Sequence, residues 1–343
     1  MQDETKNENG IFRLIVLGTI GLIVLALLSM AIGKYALSPA SVLNVLISGL
    51  TGNTDGVDPI QQTVIWNVRL PRVLAGILIG AALASAGATY QGLFRNPLVS
   101  PDILGVSAGA SLGAVLAIFF DQPVVIIQIS SFCGGLLAVG AVYAVGTAIR
   151  DRDPVLTLVL AGVAIGAVVG AGISLIKILA DPYNQLPAMT YWLLGSLTAV
   201  TRADVLSILP ATLIGLLPLI LLRWRMNVMT LGDEEAQTLG VDTRITRAAL
   251  ISGATLITAA SVSIAGIVGW IGLVIPHIAR LLVGPDFRKL LPASILLGGA
   301  YMLVVDTLAR SIAAIEIPLG ILTAVVGAPF FLWLLASGRR GWS

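Results

Sequence analysis

Apolar residues in this chain fall into long blocks separated by short polar punctuation, and the blocks have the length a lipid bilayer demands. A helix needs about 20 predominantly apolar residues to cross the hydrocarbon. Residues 11–32, 68–94, 104–120, 124–149, 155–179, 205–222, 248–270, 290–308 and 318–335 form such blocks, the third being short and rich in small residues. One more, 271–283, is interrupted by Pro276, His277 and Arg280. Counted as a crossing, it gives about ten spans with both termini on one side: an all-α polytopic fold in a single transmembrane domain, 1–343. Residues 33–67 are polar and turn-rich and predict an external loop with a short helix. Residues 181–201 read as amphipathic, with Tyr191 and Trp192 suited to a membrane interface. Residues 1–10 read as a polar cytosolic tail, and no small-residue cleavage site follows the first block, which predicts a retained first span.

One polar stretch stands against this pattern, from Thr230 to Gly240 inside a predicted cytosolic helical region, 226–246. Thr230 reads as an N-cap with Asp233 in the place of a capping-box acid. Asp233, Glu234 and Glu235 put negative charge on the first turn, where the helix dipole favours it. Leu231, Ala236 and Leu239 lie on one edge of the helical wheel, Gly232 precedes the acids, and Gly240 supplies a stop. A helix this short and charged lies in water, either as a plain solvated element or as a handle for a second protein.

Composition narrows the class. Only 11% of the 343 residues are charged, against about a quarter in soluble domains, so most of the chain faces lipid. The net charge of +2 comes without a basic run, which excludes nucleic acid as a partner. One cysteine, Cys133, and one histidine, His277, build neither a disulfide framework nor a metal site. No G-x-x-x-x-G-K-[ST] phosphate loop occurs, so any ATP must be bound elsewhere. An ion-coupled secondary transporter is the rival class, and it needs acids in mid-span. Asp306 and Glu316 lie near a span end and in a loop.

Ten spans and a cytosolic N-terminus place fourteen cations inside: Lys6, Arg13, Arg95, Arg150, Arg152, Arg223, Arg225, Arg244, Arg247, Arg280, Arg288, Lys289, Arg339 and Arg340. Six fall outside: Lys34, Arg69, Arg72, Lys177, Arg202 and Arg310. An internal echo joins residues 80–92 to 260–272, each followed by a proline-broken turn and a short apolar segment. Read as repeats, spans two to five and seven to ten are inverted, the mark of a transporter with a central pathway.

The chain resembles the FecCD family, membrane permeases of type II ABC importers for ferric siderophores, haem and cobalamin. The resemblance runs from about residue 60 to 337. It is carried by Arg69-Leu-Pro-Arg72, Gln91, Asn96-Pro-Leu98, the run from Pro101 to Val106, Tyr191-Trp192, Leu231-Gly-Asp233, Leu239-Gly-Val241, the run from Gly272 to Arg280, Asp306-Thr-Leu-Ala-Arg310 and the run from Ile317 to Ala324. It implies two permease copies, identical or paralogous, enclosing a pathway in a bacterial or archaeal cytoplasmic membrane. Two cytosolic ATPases would bind ATP and drive it, and an extracytoplasmic binding protein would deliver an iron chelate; haem, cobalamin and an oxyanion are the alternatives. The permease itself would be no enzyme and would hold no cofactor or metal.

The resemblance also implies roles for residues. The acidic helix, from Leu231 to Gly240, would dock on the ATPase. Arg69, Arg72 and Arg310 would pair with carboxylates of the binding protein, their bland alternative being headgroup anchoring. Asn96, Leu98, Val155 and Leu156 would form the cytosolic gate, although Val155 and Leu156 depart from the small polar residues of some relatives. Gly162, Gly166 and Gly170 would line the pathway or simply pack against a neighbouring helix. Lys177 would attract an anionic chelate or snorkel to the interface. His277 and Arg280 read as structural groups at a helix break.

Overall fold

Small residues let the helices of this chain meet backbone to backbone. A Cβ on Gly80 would lie 2.2 Å from the Gly298 carbonyl, and one on Gly109 would lie 2.3 Å from that of Gly134. Gly215 and Gly253 oppose one another in the same way. The computed structural model describes residues 2–52, 56–149 and 154–336. Arg150, Arg152, Arg339 and Arg340 of the charge argument lie outside them.

The helices in order are α1 (Gln2–Ala31), α2 (Pro39–Thr51), α3 (Pro59–Thr63), α4 (Leu70–Leu93), α5 (Val106–Phe119), α6 (Val124–Ala148), α7 (Pro154–Leu179) and α8 (Gln185–Leu194). They continue as α9 (Arg202–Leu221), α10 (Arg223–Met229), α11 (Asp233–Thr238), α12 (Thr243–Ala265), α13 (Ile271–Val283), α14 (Phe287–Ala309) and α15 (Leu319–Ala336). A π-helical turn, Val64–Arg69, leads into α4, and a 3-10 turn, Pro101–Leu104, leads into α5. No strand occurs among the described residues.

Seven stretches are long and apolar enough to cross a membrane: α1, the run through α3 and α4, α6, α7, α9, α12 and α14. The shorter α5, α13 and α15 complete ten. With 13 residues, α13 is about 20 Å long at 1.5 Å per residue, and the non-helical residues 266–270 before it add reach. Residues outside α-helix likewise precede α5 and α15.

α4 and α12 form the centre, buried along most of their length, and pack on each other. α4 also packs on α13 and α14, while α12 packs on α5 and α6. Exchanging α4 with α12, α5 with α13 and α6 with α14 maps these pairs onto one another, the exchange expected of repeats. The sequence echo itself does not superpose. Residues 80–92 stay inside α4, whereas 260–272 break at Gly266. Gly266 holds a φ of +67°, and a Cβ there would meet the Trp192 carbonyl at 2.2 Å. There the loop before α13 interlocks with the end of α8: Ser196 N–H donates to the Ala265 carbonyl and Leu319 N–H to that of Gly195.

Several boundaries move. The predicted loop 33–67 is largely helical, carrying α2 and α3 behind the caps Ser38 and Asp58. The N-terminal tail is the start of α1. The predicted span 205–222 begins earlier, because Thr201 and Asp204 form a reciprocal capping box. The N-cap assigned to Thr230 is wrong. Its hydroxyl donates to the Asn227 carbonyl at 2.7 Å and closes α10, and Gly232 is the residue that precedes α11.

Candidate functional site

At the end assigned to the inside, α11 is built as a rigid, mostly exposed bracket. Ala236 is fully buried in the core cluster shared by α4, α12 and α14. Asp233 accepts from Arg247 Nη2 on α12 at 2.6 and 2.8 Å. Gly232 adopts φ +134°, and a Cβ there would press on the Glu235 carboxylate at 2.4 Å. The single greasy edge read from the wheel divides in three dimensions. Ala236 points in, while Leu231 and Leu239 stay 59% and 57% exposed beside Glu234, Glu235 and Gly240. Two exposed leucines thus flank a patch of acids.

The four residues expected to form the gate lie at helix ends on the same side. Asn96 accepts the Leu98 N–H at 2.9 Å, closing the turn after α4 and holding Leu98 outward and half exposed. α7 reaches that loop through Gly162, where a Cβ would lie 2.1 Å from the Ile103 carbonyl. Leu156, one and a half turns earlier on α7, is exposed, and Val155 packs against the core. The expected effect of Leu98→Gly is a wider constriction. Vesicles carrying the variant should then leak substrate without ATP; vesicles as tight as wild type would remove Leu98 from the gate.

The three α7 glycines separate. Gly162 packs on the 3-10 turn, whereas a Cβ on Gly166 or Gly170 would meet nothing within 4 Å. Those two face open space along a helix whose Val163, Val168 and Leu175 are exposed. Lys177 is half-buried near the outer end of the same helix.

At the outer end, charge is concentrated rather than displayed. Arg72 donates from Nε to Asp306 at 2.9 Å and from Nη1 and Nη2 to Glu316 at 3.1 and 2.8 Å. Arg310 Nε stands 3.4 Å from the second Asp306 oxygen, and its Nη2 donates to Ser29 Oγ at 2.8 Å. Arg69 caps the C-terminal carbonyls of α1, Met30 and Ala31, and reaches the Tyr35 carbonyl. All three arginines are at least nine-tenths buried. Glu316 also accepts from Thr198 Oγ1 at 2.6 Å. Burial alone would raise its carboxyl, but the bonds from Arg72 and Thr198 hold it below the ordinary glutamate range. These guanidinium forks are occupied within the chain. They tie α1, α4 and α14 to the loop before α15. Sequence reasoning found the arginines but not their partners. The spacing of Asp306 and Arg310, four apart on a helix, was the available signal.

His277 and Arg280 are buried in α13, with Arg280 3.4 Å from the Gln91 oxygen on α4. Gln91 in turn donates to the Leu273 carbonyl. No group of three metal-ligating side chains occurs among the described residues. A cavity of about 610 Å³ lies between α8 and the outer ends of α5, α6, α9 and α12, away from the α7 glycines.

Residues 21–337 match the family model of the FecCD transport family. The cobalamin import system permease protein BtuC of Halobacterium salinarum is 44% identical over 82% of this chain and 75% of its own length. The molybdate import system permease protein MolB of Haemophilus influenzae is 38% identical over 94% of this chain and 95% of its own. A solved metal-chelate type ABC transporter in an inward-facing conformation superposes with a TM-score of 0.85 at 36% identity, covering 95% of this chain and 99% of that one.

Proposed function

The chain belongs to the FecCD transport family, and is a multi-pass ABC importer permease; from that premise we propose that it carries a metal chelate, a ferric siderophore first among them, across the cytoplasmic membrane. Two copies would enclose the pathway, and two separate ATPase subunits would grip α11 and bind the ATP. An extracytoplasmic binding protein would present the cargo. The observation that carries the cargo reading is the open face of α7. Gly166 and Gly170 leave room there beside the exposed Val163, and the one exposed hydroxyl next to them, Ser174, is turned back onto the Gly170 carbonyl at 2.9 Å. A wide, weakly polar wall suits a bulky chelate whose metal is already wrapped. A compact oxyanion such as molybdate needs converging hydrogen-bond donors to replace its hydration. On this face Lys177 alone supplies a charged one.

Reconstitution with a cognate ATPase and binding protein tests this. Vesicles should accumulate a ferric siderophore only with ATP inside the coupled compartment, and molybdate should neither accumulate nor compete. Accumulation of molybdate at a comparable rate would move the chain to the oxyanion importers.

A further inference from the structure

Arg202 is an outside cation that neither the pathway nor the arginine cluster uses. It opens α9 on the outer face, exposed, with no carboxylate in salt-bridge reach among the described residues. Its guanidinium is nonetheless fixed. Nε donates to the Trp66 carbonyl at 2.8 Å, and the guanidinium carbon sits 5.5 Å from the centre of the Trp66 ring. Trp66 is in turn seated on Gly49, where a Cβ would fall 2.5 Å from the indole, and its own N–H donates to the Val45 carbonyl. Both terminal nitrogens of Arg202 are left to point at something else.

They border a polar hollow of about 400 Å³, shared with Gln62, Thr63 and Asn67. The Gln62 and Asn67 amides have no hydrogen-bond partner among the described residues. The floor is the π-helical turn Val64–Arg69, a rare backbone form that is frequent at functional sites. Around the hollow the surface turns apolar: Ile47 and Leu50 on α2, Val68 on the turn and Leu206 on α9 are all more than half exposed. Such a cluster suits contact with acyl chains near the outer interface, where a tryptophan is also at home.

We propose that this hollow binds the phosphodiester of an outer-leaflet phospholipid. The Arg202 fork takes two phosphate oxygens, Asn67 and Gln62 donate to the phosphate and glycerol oxygens, and the acyl chains run down over Val68 and Leu206. The fork geometry matches phosphate, and the absence of an acid in the lining among the described residues favours an anionic headgroup over one bearing an ammonium. Such a lipid would tie α2 and the π turn to the start of α9.

Native mass spectrometry of the full chain in detergent tests the site, with phosphatidylglycerol, diacylglycerol and inorganic phosphate as separate probes. The wild type should retain phosphatidylglycerol, and Arg202→Ala should weaken that binding about tenfold, the loss of a charge-assisted pair. Arg202→Lys keeps the charge but not the fork and should recover part of it. Asn67→Leu, which leaves every charge in place, should also weaken it. Wild-type retention in both Arg202→Ala and Asn67→Leu would overturn the proposal. So would equal retention of diacylglycerol, which would make the contact purely apolar. Displacement of the lipid by millimolar inorganic phosphate would make it a free-anion site and overturn it too.

Discussion

Glu234→Lys combined with Leu239→Asp should leave the permease folded and inserted while ATP-driven uptake falls to background. Both side chains are exposed on α11, and exposed substitutions of this kind change stability by about 0.5 kcal/mol or less. What the pair removes is a surface: an acid that a basic groove would read and a leucine that a greasy one would. The bracket beneath stays intact, because Ala236 remains in the core and Asp233 remains on Arg247. A rigid bracket is what force transmission requires, since a loose one would absorb the ATPase stroke. Retention of the ATPase subunits through gentle purification is the direct measurement. Unchanged retention in the double variant would mean that α11 is a solvated surface helix and that coupling runs elsewhere. Ala236→Asp gives the contrast: it buries a charge in the core, and should cost the fold itself.

How much of this was legible beforehand depended on what kind of signal each part left. The crossings were legible because hydrocarbon filters every residue of a span, so ten apolar blocks stand out however they pack. α13 was the doubtful one, and the reason is physical. Its crossing is shared between a 13-residue helix and a non-helical lead-in, and irregular backbone leaves no periodic mark. The acidic helix was found by composition, but its cap was misplaced. Thr230 fits both as the cap of one helix and as the end of another, and only the burial of Met226 and Met229 on α10 decides between them. The α7 glycines show the same limit. Their four-residue spacing is identical, yet Gly162 is a packing contact and Gly166 faces space, because the 3-10 turn that makes the difference comes from a distant part of the chain.

For the outer arginines, burial within the chain and docking to a partner lead to opposite expectations, and a single acid decides between them. Asp306 is 99% buried and stands between Arg72 and Arg310. Asp306→Ala should therefore leave two buried guanidinium groups facing each other across an empty space, with only Glu316 and the α1 carbonyls to hold them. Breaking a buried pair by removing one partner costs about 3–5 kcal/mol, a large share of the 5–15 kcal/mol that holds a typical folded protein. The variant should unfold at a markedly lower temperature in detergent and reach the membrane in reduced amount. Arg310→Glu should do the same, because it sets a second carboxylate beside Asp306 and leaves the Ser29 contacts unmade. A docking role for these arginines predicts the opposite pattern. There, thermal unfolding is unchanged, the on-rate of the loaded binding protein drops, and its dependence on ionic strength vanishes with the lost rim charge. Measuring both quantities on Arg310→Glu separates the two. A lowered unfolding temperature with the on-rate of the folded fraction preserved makes the cluster the clamp that fixes the outer loop to α1, α4 and α14. A normal unfolding temperature with a collapsed on-rate returns the arginines to the partner.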